Sequence, residues 1–168
     1  MRRKDREITD MQKIKEILSK ARYLHLGMFD GEYPYVVPLH YGYRMEDGKL
    51  TFYVHCAEEG HKLDCLRKNN NVFVEVDCEE ELVTADVPCR YGAKYASVMC
   101  RGKAAILQNA DEKCQALRIL MRVQTGKEHE ISEQMADSVT VIEITADSYT
   151  AKVRAKCEAA DIDVVTDI

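Results

Sequence analysis

Residues 34–64 read PYVVPLHYGYRMEDGKLTFYVHCAEEGHKLD. The reading of this stretch decides the fold. Val37, Leu39 and Tyr41 alternate with Pro38, His40 and Gly42, as in a half-buried strand. Pro34 and Pro38 carry no N–H, so this strand belongs at an edge, a strand end or a bulge, with part of its backbone facing something other than a ladder. Asp47-Gly48 predicts a tight hairpin turn. Lys49 to His55 is the next strand, with Leu50, Phe52 and Val54 on one face. Gly60-His61-Lys62 then opens a helix over 61–68, with Leu63 and Leu66 inward. A cation, an imidazole and free backbone N–H groups at a helix start suit a phosphate, and Gly60 allows close backbone approach.

The rest of the chain extends this pattern. Thr9 and Gln12 have capping-box spacing ahead of a helix carrying Met11, Ile14, Ile17, Leu18 and Ala21. Leu24, Leu26 and Met28 predict a strand that turns at Asp30-Gly31. Asn69 to Asn71 stop the second helix, and Val72 to Val76 is a further strand. Residues 77–94 read as a long irregular loop, of a kind that is often functional. Tyr95 to Leu107 is a long strand bent at Gly102. Asp111 to Val123 is an amphipathic helix capped by Asp111, with Cys114, Leu117, Leu120 and Met121 inward. Residues 124–137 form a polar connection. Val139 to Thr145 is the last strand, apolar on both faces and therefore buried on both. The sum is a mainly β (α+β) chain: a small antiparallel barrel of about six strands with flanking helices.

The bulk composition narrows the function. The chain has 168 residues, 46% of them hydrophobic, and a net charge of −5. That fits one domain over 1–156 with an acidic tail over 157–168. An acidic balance argues against a nucleic-acid surface, which needs a basic stripe. No apolar run approaches a membrane span, and the N-terminus lacks a signal peptide's apolar stretch. The seven cysteines (Cys56, Cys65, Cys78, Cys89, Cys100, Cys114 and Cys157) are scattered, with no C-x-x-C. They read as reduced thiols in a cytoplasmic protein.

Three histidines fall in the decisive stretch. His40 shares a strand face with Pro38 and Gly42. His55 ends a strand just before the phosphate-type loop and titrates near neutrality, so it is the candidate proton-transfer group. A His55–Cys56 dyad is disfavoured because adjacent strand residues point to opposite faces. A zinc site from His55, Cys56 and His61 lacks a fourth ligand, and no metal site is expected. Tyr33, Tyr35, Tyr41 and Tyr43 crowd the region, as core rim, interface or stacking platform.

The segments YPYVVPLHYGY, EDGKL, TFYVHCAEEGHKLD and KYASVMCRGKA, in this order, resemble the pyridoxamine 5′-phosphate oxidase-like flavoproteins. Within them the nitroimidazole-resistance reductase-like group is most similar, over roughly residues 1–150. The resemblance implies a split β-barrel that binds FMN at a homodimer interface. It implies that Val37, Pro38, Leu39, His40 and Tyr41 run along the flavin ring. His55, Gly60, His61 and Lys62 would lie at the ribityl phosphate, with Lys62 the main cation. Relatives often carry Arg at the position of His61. Tyr95 and Ser97 would approach the flavin, from the same or the partner subunit. The implied activity is an FMN-dependent oxidoreductase of nitroaromatic type, using a small-molecule electron donor and acceptor, with His55 as the functional side chain. The alternatives are a non-catalytic flavin or haem carrier, for which His40, His55 and Cys56 offer ligands, or an enzyme of pyridoxamine 5′-phosphate oxidase type.

Overall fold

Alternation in the sequence becomes one antiparallel sheet. The computed structural model describes residues 3–154. Its strands are β1 (Glu7–Ile8), β2 (Tyr23–Phe29), β3 (Pro34–His40), β4 (Gly42–Glu46), β5 (Lys49–Cys56), β6 (Asn71–Val83), β7 (Gly92–Ile106) and β8 (Thr140–Arg154). Its helices are α1 (Met11–Lys20), α2 (His61–Lys68), α3 (Ala110–Thr125) and α4 (Glu133–Asp137). The strands pair in the order β3-β2-β6-β7-β8-β5-β4, with β1 added to β8. The sheet's two ends, β3 and β4, are joined in the chain through Tyr41 alone. Eight strands replace the expected six or so, within the same mainly β class.

Inward positions of the strands fill the core. Leu24, Leu26, Leu50, Phe52, Val54, Val74, Val76, Ile142 and Ile144 are buried there. Helix α1 covers them with Ile14, Ile17 and Leu18, and α2 adds Leu63, Cys65 and Leu66. A second cluster lies on the other side of β5 and β8. There Tyr53 and Val141 meet Cys114, Ala116 and Leu117 of α3 and Ala136 of α4. The last strand is thus buried on both faces, as its composition predicts.

Several boundaries differ from the sequence reading. Asp10, not Thr9, caps α1, by accepting from the Gln12 amide at 2.8 Å. Asn109, not Asp111, caps α3 by accepting from the Glu112 amide. Most of the expected loop 77–94 is strand, because β6 and β7 pair outward past a bulge between Cys78 and Glu81. Only 84–91 lie between them, with a 3₁₀ turn over Pro88–Arg90. The last strand runs on to Arg154, since its polar second half pairs with β7 as far as Tyr95. The expected tail over 157–168 lies outside the described residues.

The turns behave as their residues predict. Asp47 (φ 50°) and Gly48 (φ 76°) both take positive φ, as a two-residue hairpin requires. Gly102 sits at the register shift of β7 against β8, where a Cβ would stand 2.3 Å from the Thr145 carbonyl oxygen.

Candidate functional site

Helix α2 starts differently from the others. Side chains of Asp10, Asn109 and Ser132 cap α1, α3 and α4, whereas no side chain caps α2. Its N-cap is Gly60 (φ 140°, ψ 161°), a conformation that favours glycine. The Gly60 carbonyl accepts from the Leu63 amide at 2.9 Å and the Asp64 amide at 3.3 Å. Nothing lies within 4 Å of where a Gly60 Cβ would stand, so the helix start is open to a ligand. His61 and Lys62 follow directly.

The β2–β3 hairpin rests against this start. The His61 ring meets Tyr35 edge-on at 4.9 Å, and its Nε2 lies 3.8 Å from the Asp30 carboxylate. Nε2 also lies 3.5 Å from the Cys65 sulfur. Asp30 is held below the usual carboxylate range, first by the amides of Tyr33 and Glu32 and then by His61.

His55 stands exposed near the end of β5, paired with Val141 of β8. Partial burial lowers its pKa, and the charges of His40 and Lys62 lower it further. These effects favour the neutral ring, which can both donate and accept a hydrogen bond. His40, at the end of β3, stacks on Tyr23 with centroids 4.7 Å apart. Cys56 turns the other way and packs against the core. Burial raises its thiol pKa although Lys62 opposes the shift. A protonated, half-buried thiol is a poor nucleophile, which agrees with the disfavoured dyad.

Thus the ends of β3 and β5 and the start of α2 bring His40, His55, Gly60, His61 and Lys62 together. Strand β3 pairs only with β2, so it is an edge strand, as its two prolines require. Along it, Pro38 and His40 face outward, while Val37 and Leu39 are half-buried against the core. The Tyr41 ring is wholly buried, and its hydroxyl donates to the Leu18 carbonyl at 2.7 Å, satisfying the end of α1. As a lining residue Tyr41 therefore offers no side chain. Pro38 lines a cavity of about 660 Å³ with Lys20, Arg22, Tyr23, His25 and Asp77 among its walls.

Tyr95 and Ser97 are not brought to this cluster within one chain. They line another cavity, of about 470 Å³, with Glu75, Asp77, Met99, Thr150 and Lys152. Sequence reasoning also missed His25, Glu75 and Asp77. The His25 Nδ1 lies 3.0 Å from Glu75 and 3.8 Å from Asp77, and the three form the one grouping of potential metal-ligand atoms among the described residues. The alternation Glu75-Val76-Asp77 signals two carboxylates on one face, but the partner histidine is 50 residues away in sequence.

An antiparallel split barrel with flanking helices, open at the β3 edge beside an uncapped helix start, defines the structural class. The pyridoxamine 5′-phosphate oxidase family model matches residues 10–153, and the chain belongs to that family. A crystal structure of a "putative 5-nitroimidazole antibiotic resistance protein" from Bacteroides thetaiotaomicron is 36% identical. The match covers 88% of this chain and 86% of that one, with a TM-score of 0.75. The flavocytochrome Anf3 from Azotobacter vinelandii shares the fold at 19% identity, over 93% of this chain and 72% of its own, with a TM-score of 0.74. So does an FAD- and haem-binding protein from Mycobacterium smegmatis, at 16% identity, over 93% and 77%, with a TM-score of 0.77. A comparison with curated proteins gives no match. Among the described residues no helix is long and apolar enough to cross a membrane.

Proposed function

We propose that the protein is an FMN-dependent oxidoreductase that reduces small nitroaromatic compounds with electrons from a small-molecule donor such as a nicotinamide. The observation that carries this reading is the uncapped α2 start, where Gly60, His61 and Lys62 stand beside His55 and the free edge of β3. The donor set fits a phosphate monoester: open amides at a helix N-terminus, a lysine and an imidazole. Bound there, the flavin would supply the redox chemistry, and this chain would supply position and charge.

The residues have separable tasks. Lys62 and the α2 amides hold the phosphate. His61, steadied by Asp30 and Tyr35, adds a hydrogen bond. Pro38 and His40 present the outward edge of β3 to the ring, and Val37 and Leu39 support it from the core side. His55, kept neutral, orients a substrate or passes it a proton. The family membership and the Bacteroides nitroimidazole-resistance relative support the substrate class.

A second copy of the chain completes the proposal. Val36, Gly27 and Phe73 lie in register across β3, β2 and β6. With Phe29 and Met99 they form an outward apolar face whose large side chains are each 41–57% exposed. Exposed apolar residues gathered on one sheet face mark an interaction surface.

The test is the visible spectrum of purified protein before and after adding FMN. Flavin absorbance that copurifies or saturates on titration, with reduction by a nicotinamide donor and reoxidation by a nitroimidazole, supports the reading. A colourless protein that FMN does not change rejects it. A Soret band without flavin would instead favour the haem-carrier alternative.

A further inference from the structure

Helix α3 packs on the outer face of β4, β5 and β8, the flank of the sheet away from β2, β3 and β6. The contact is tightest at Gly42, where a Cβ would stand 2.4 Å from the Leu120 Cα, so helix and strand meet backbone to backbone. Toward the helix start a cavity of about 260 Å³ opens between the layers. Glu112, Gln115, Ala116 and Ile119 recur at helical spacing and supply its α3 side. Arg44 of β4, Tyr53 of β5 and Glu143 of β8 supply its sheet side, with Tyr53 and Glu143 opposite in register.

Its charges are sorted by end. Arg44, Gln115 and Ile119 also border an adjoining cavity of about 320 Å³, so they form one end, and Glu112, Glu143 and Leu107 form the other. The Arg44 Nη2 donates to the hydroxyl of the buried Tyr53 at 2.5 Å. A phenol is a neutral partner: it fixes the guanidinium in place, keeps its charge, and leaves further N–H donors. Among the described residues the ion pairs of α3 are Lys113–Asp137 and Arg122–Glu128, neither of which takes a group from this cavity. Arg44, Glu112 and Glu143 thus face one space without pairing with one another. A simple anion there would meet two carboxylates, and a simple cation would meet the guanidinium. Only a molecule with both poles finds the opposite sign at each end.

We infer that this cavity is a binding site for a small aliphatic amino acid. Arg44 and Gln115 hold its carboxylate, Glu112 and Glu143 hold its ammonium, and Leu107, Ala116 and Ile119 receive its side chain. A guanidinium takes a carboxylate through two parallel hydrogen bonds. An ammonium carries three donors, enough for both glutamates. The volume of about 260 Å³ lies below the roughly 300–1,000 Å³ of drug-sized sites, which suits so small a molecule. None of these residues belongs to the proposed flavin site or to the apolar face assigned to a second copy, so the inference stands apart from the proposed function.

The probe is L-valine, with isovalerate and isobutylamine as controls that each lack one pole, measured by calorimetry and amide NMR titration of the full-length protein with and without FMN. Valine should bind at least tenfold more tightly than either control and should shift the amides of Gln115, Ala116 and Ile119 most. Arg44→Met and Glu143→Gln should each weaken it at least fivefold. Arg44→Lys should weaken it too, because an ammonium cannot grip a carboxylate with two parallel bonds. Circular dichroism and the FMN titration of each variant report separately on folding and on the flavin site. Should a variant unfold, the ranking of the three probes and the position of the shifts in the wild-type protein decide the matter. Valine binding in a protein that takes up no FMN would reject the flavin reading and leave this one standing. No saturable valine binding, equal binding of all three probes, shifts centred on α2 and β3, or indifference of the folded variants would overturn it.

Discussion

Lys62→Ala removes one charge at the point where two predicted functions meet. The ammonium is carried by the second residue of α2, and its charge also lowers the pKa of His55. A charge-assisted hydrogen bond to phosphate contributes about 1.5–3 kcal/mol, so its loss should weaken FMN binding by roughly 10- to 150-fold. The α2 amides and His61 remain, so binding should weaken and not vanish. The second consequence is at His55. Its pKa is lowered first by burial, then by His40, then by Lys62. Losing the last of these should move it part of the way back toward the ordinary histidine value and no further. Flavin fluorescence titration measures the first effect, and NMR titration of the His55 ring protons in flavin-free protein measures the second. An FMN affinity within twofold of wild type, with the His55 shift present, would show that Lys62 faces His55 but not the phosphate. An unchanged His55 titration would refute the geometry itself.

Other substitutions probe separate parts of the argument. His61→Arg should tighten FMN binding or flatten its pH dependence, read by titration between pH 5.5 and 8; weaker binding at every pH would mean that Asp30 and Tyr35 hold this position turned away from the phosphate. The folded pKa of Glu75 is raised, so its favourable contribution is complete below the ordinary glutamate value and is lost as pH rises through the folded value. Glu75→Gln should therefore raise Tm at pH 7 and leave it nearly unchanged at pH 4, and a lower Tm at pH 7 would contradict this. Gly102→Ala should cost about 2–3 kcal/mol in urea unfolding, because its Cβ would meet backbone atoms of Thr145 that cannot give way without breaking the β7–β8 ladder. Phe73→Glu should convert the proposed homodimer to monomer in sedimentation, while a dimer of undiminished affinity would place the interface elsewhere.

Much of the fold was legible from short-range chemistry. The two Asp-Gly turns, the alternation of Leu24, Leu26 and Met28, and the 61–68 helix are local signals, and the structure bears them out. The helix caps were misread by one residue at Thr9 and two at Asp111, because several adjacent polar side chains satisfy the same spacing and only the backbone angles choose among them. The outer halves of β6 and β8 were illegible for another reason. Runs such as Glu79-Glu80-Glu81 and Asp147-Ser148 carry no apolar alternation, and they are strands because β7 offers them a ladder, with Lys94 meeting Glu81 across it.

The sequence by itself determined the fold class, limited β3 to an edge, a strand end or a bulge, and set residues 55–62 close together, since each rests on neighbours within a few positions along the chain; the sheet order then made β3 an edge. Only the tertiary structure decided that the Tyr41 ring lies in the core. It decided too that His25 meets Glu75, and that Tyr95 and Ser97 open onto another cavity. The physical reason is that alternation tells which face a residue takes but not which residue stands opposite. Pairing register between distant strands, fixed by packing of the whole sheet, sets those oppositions.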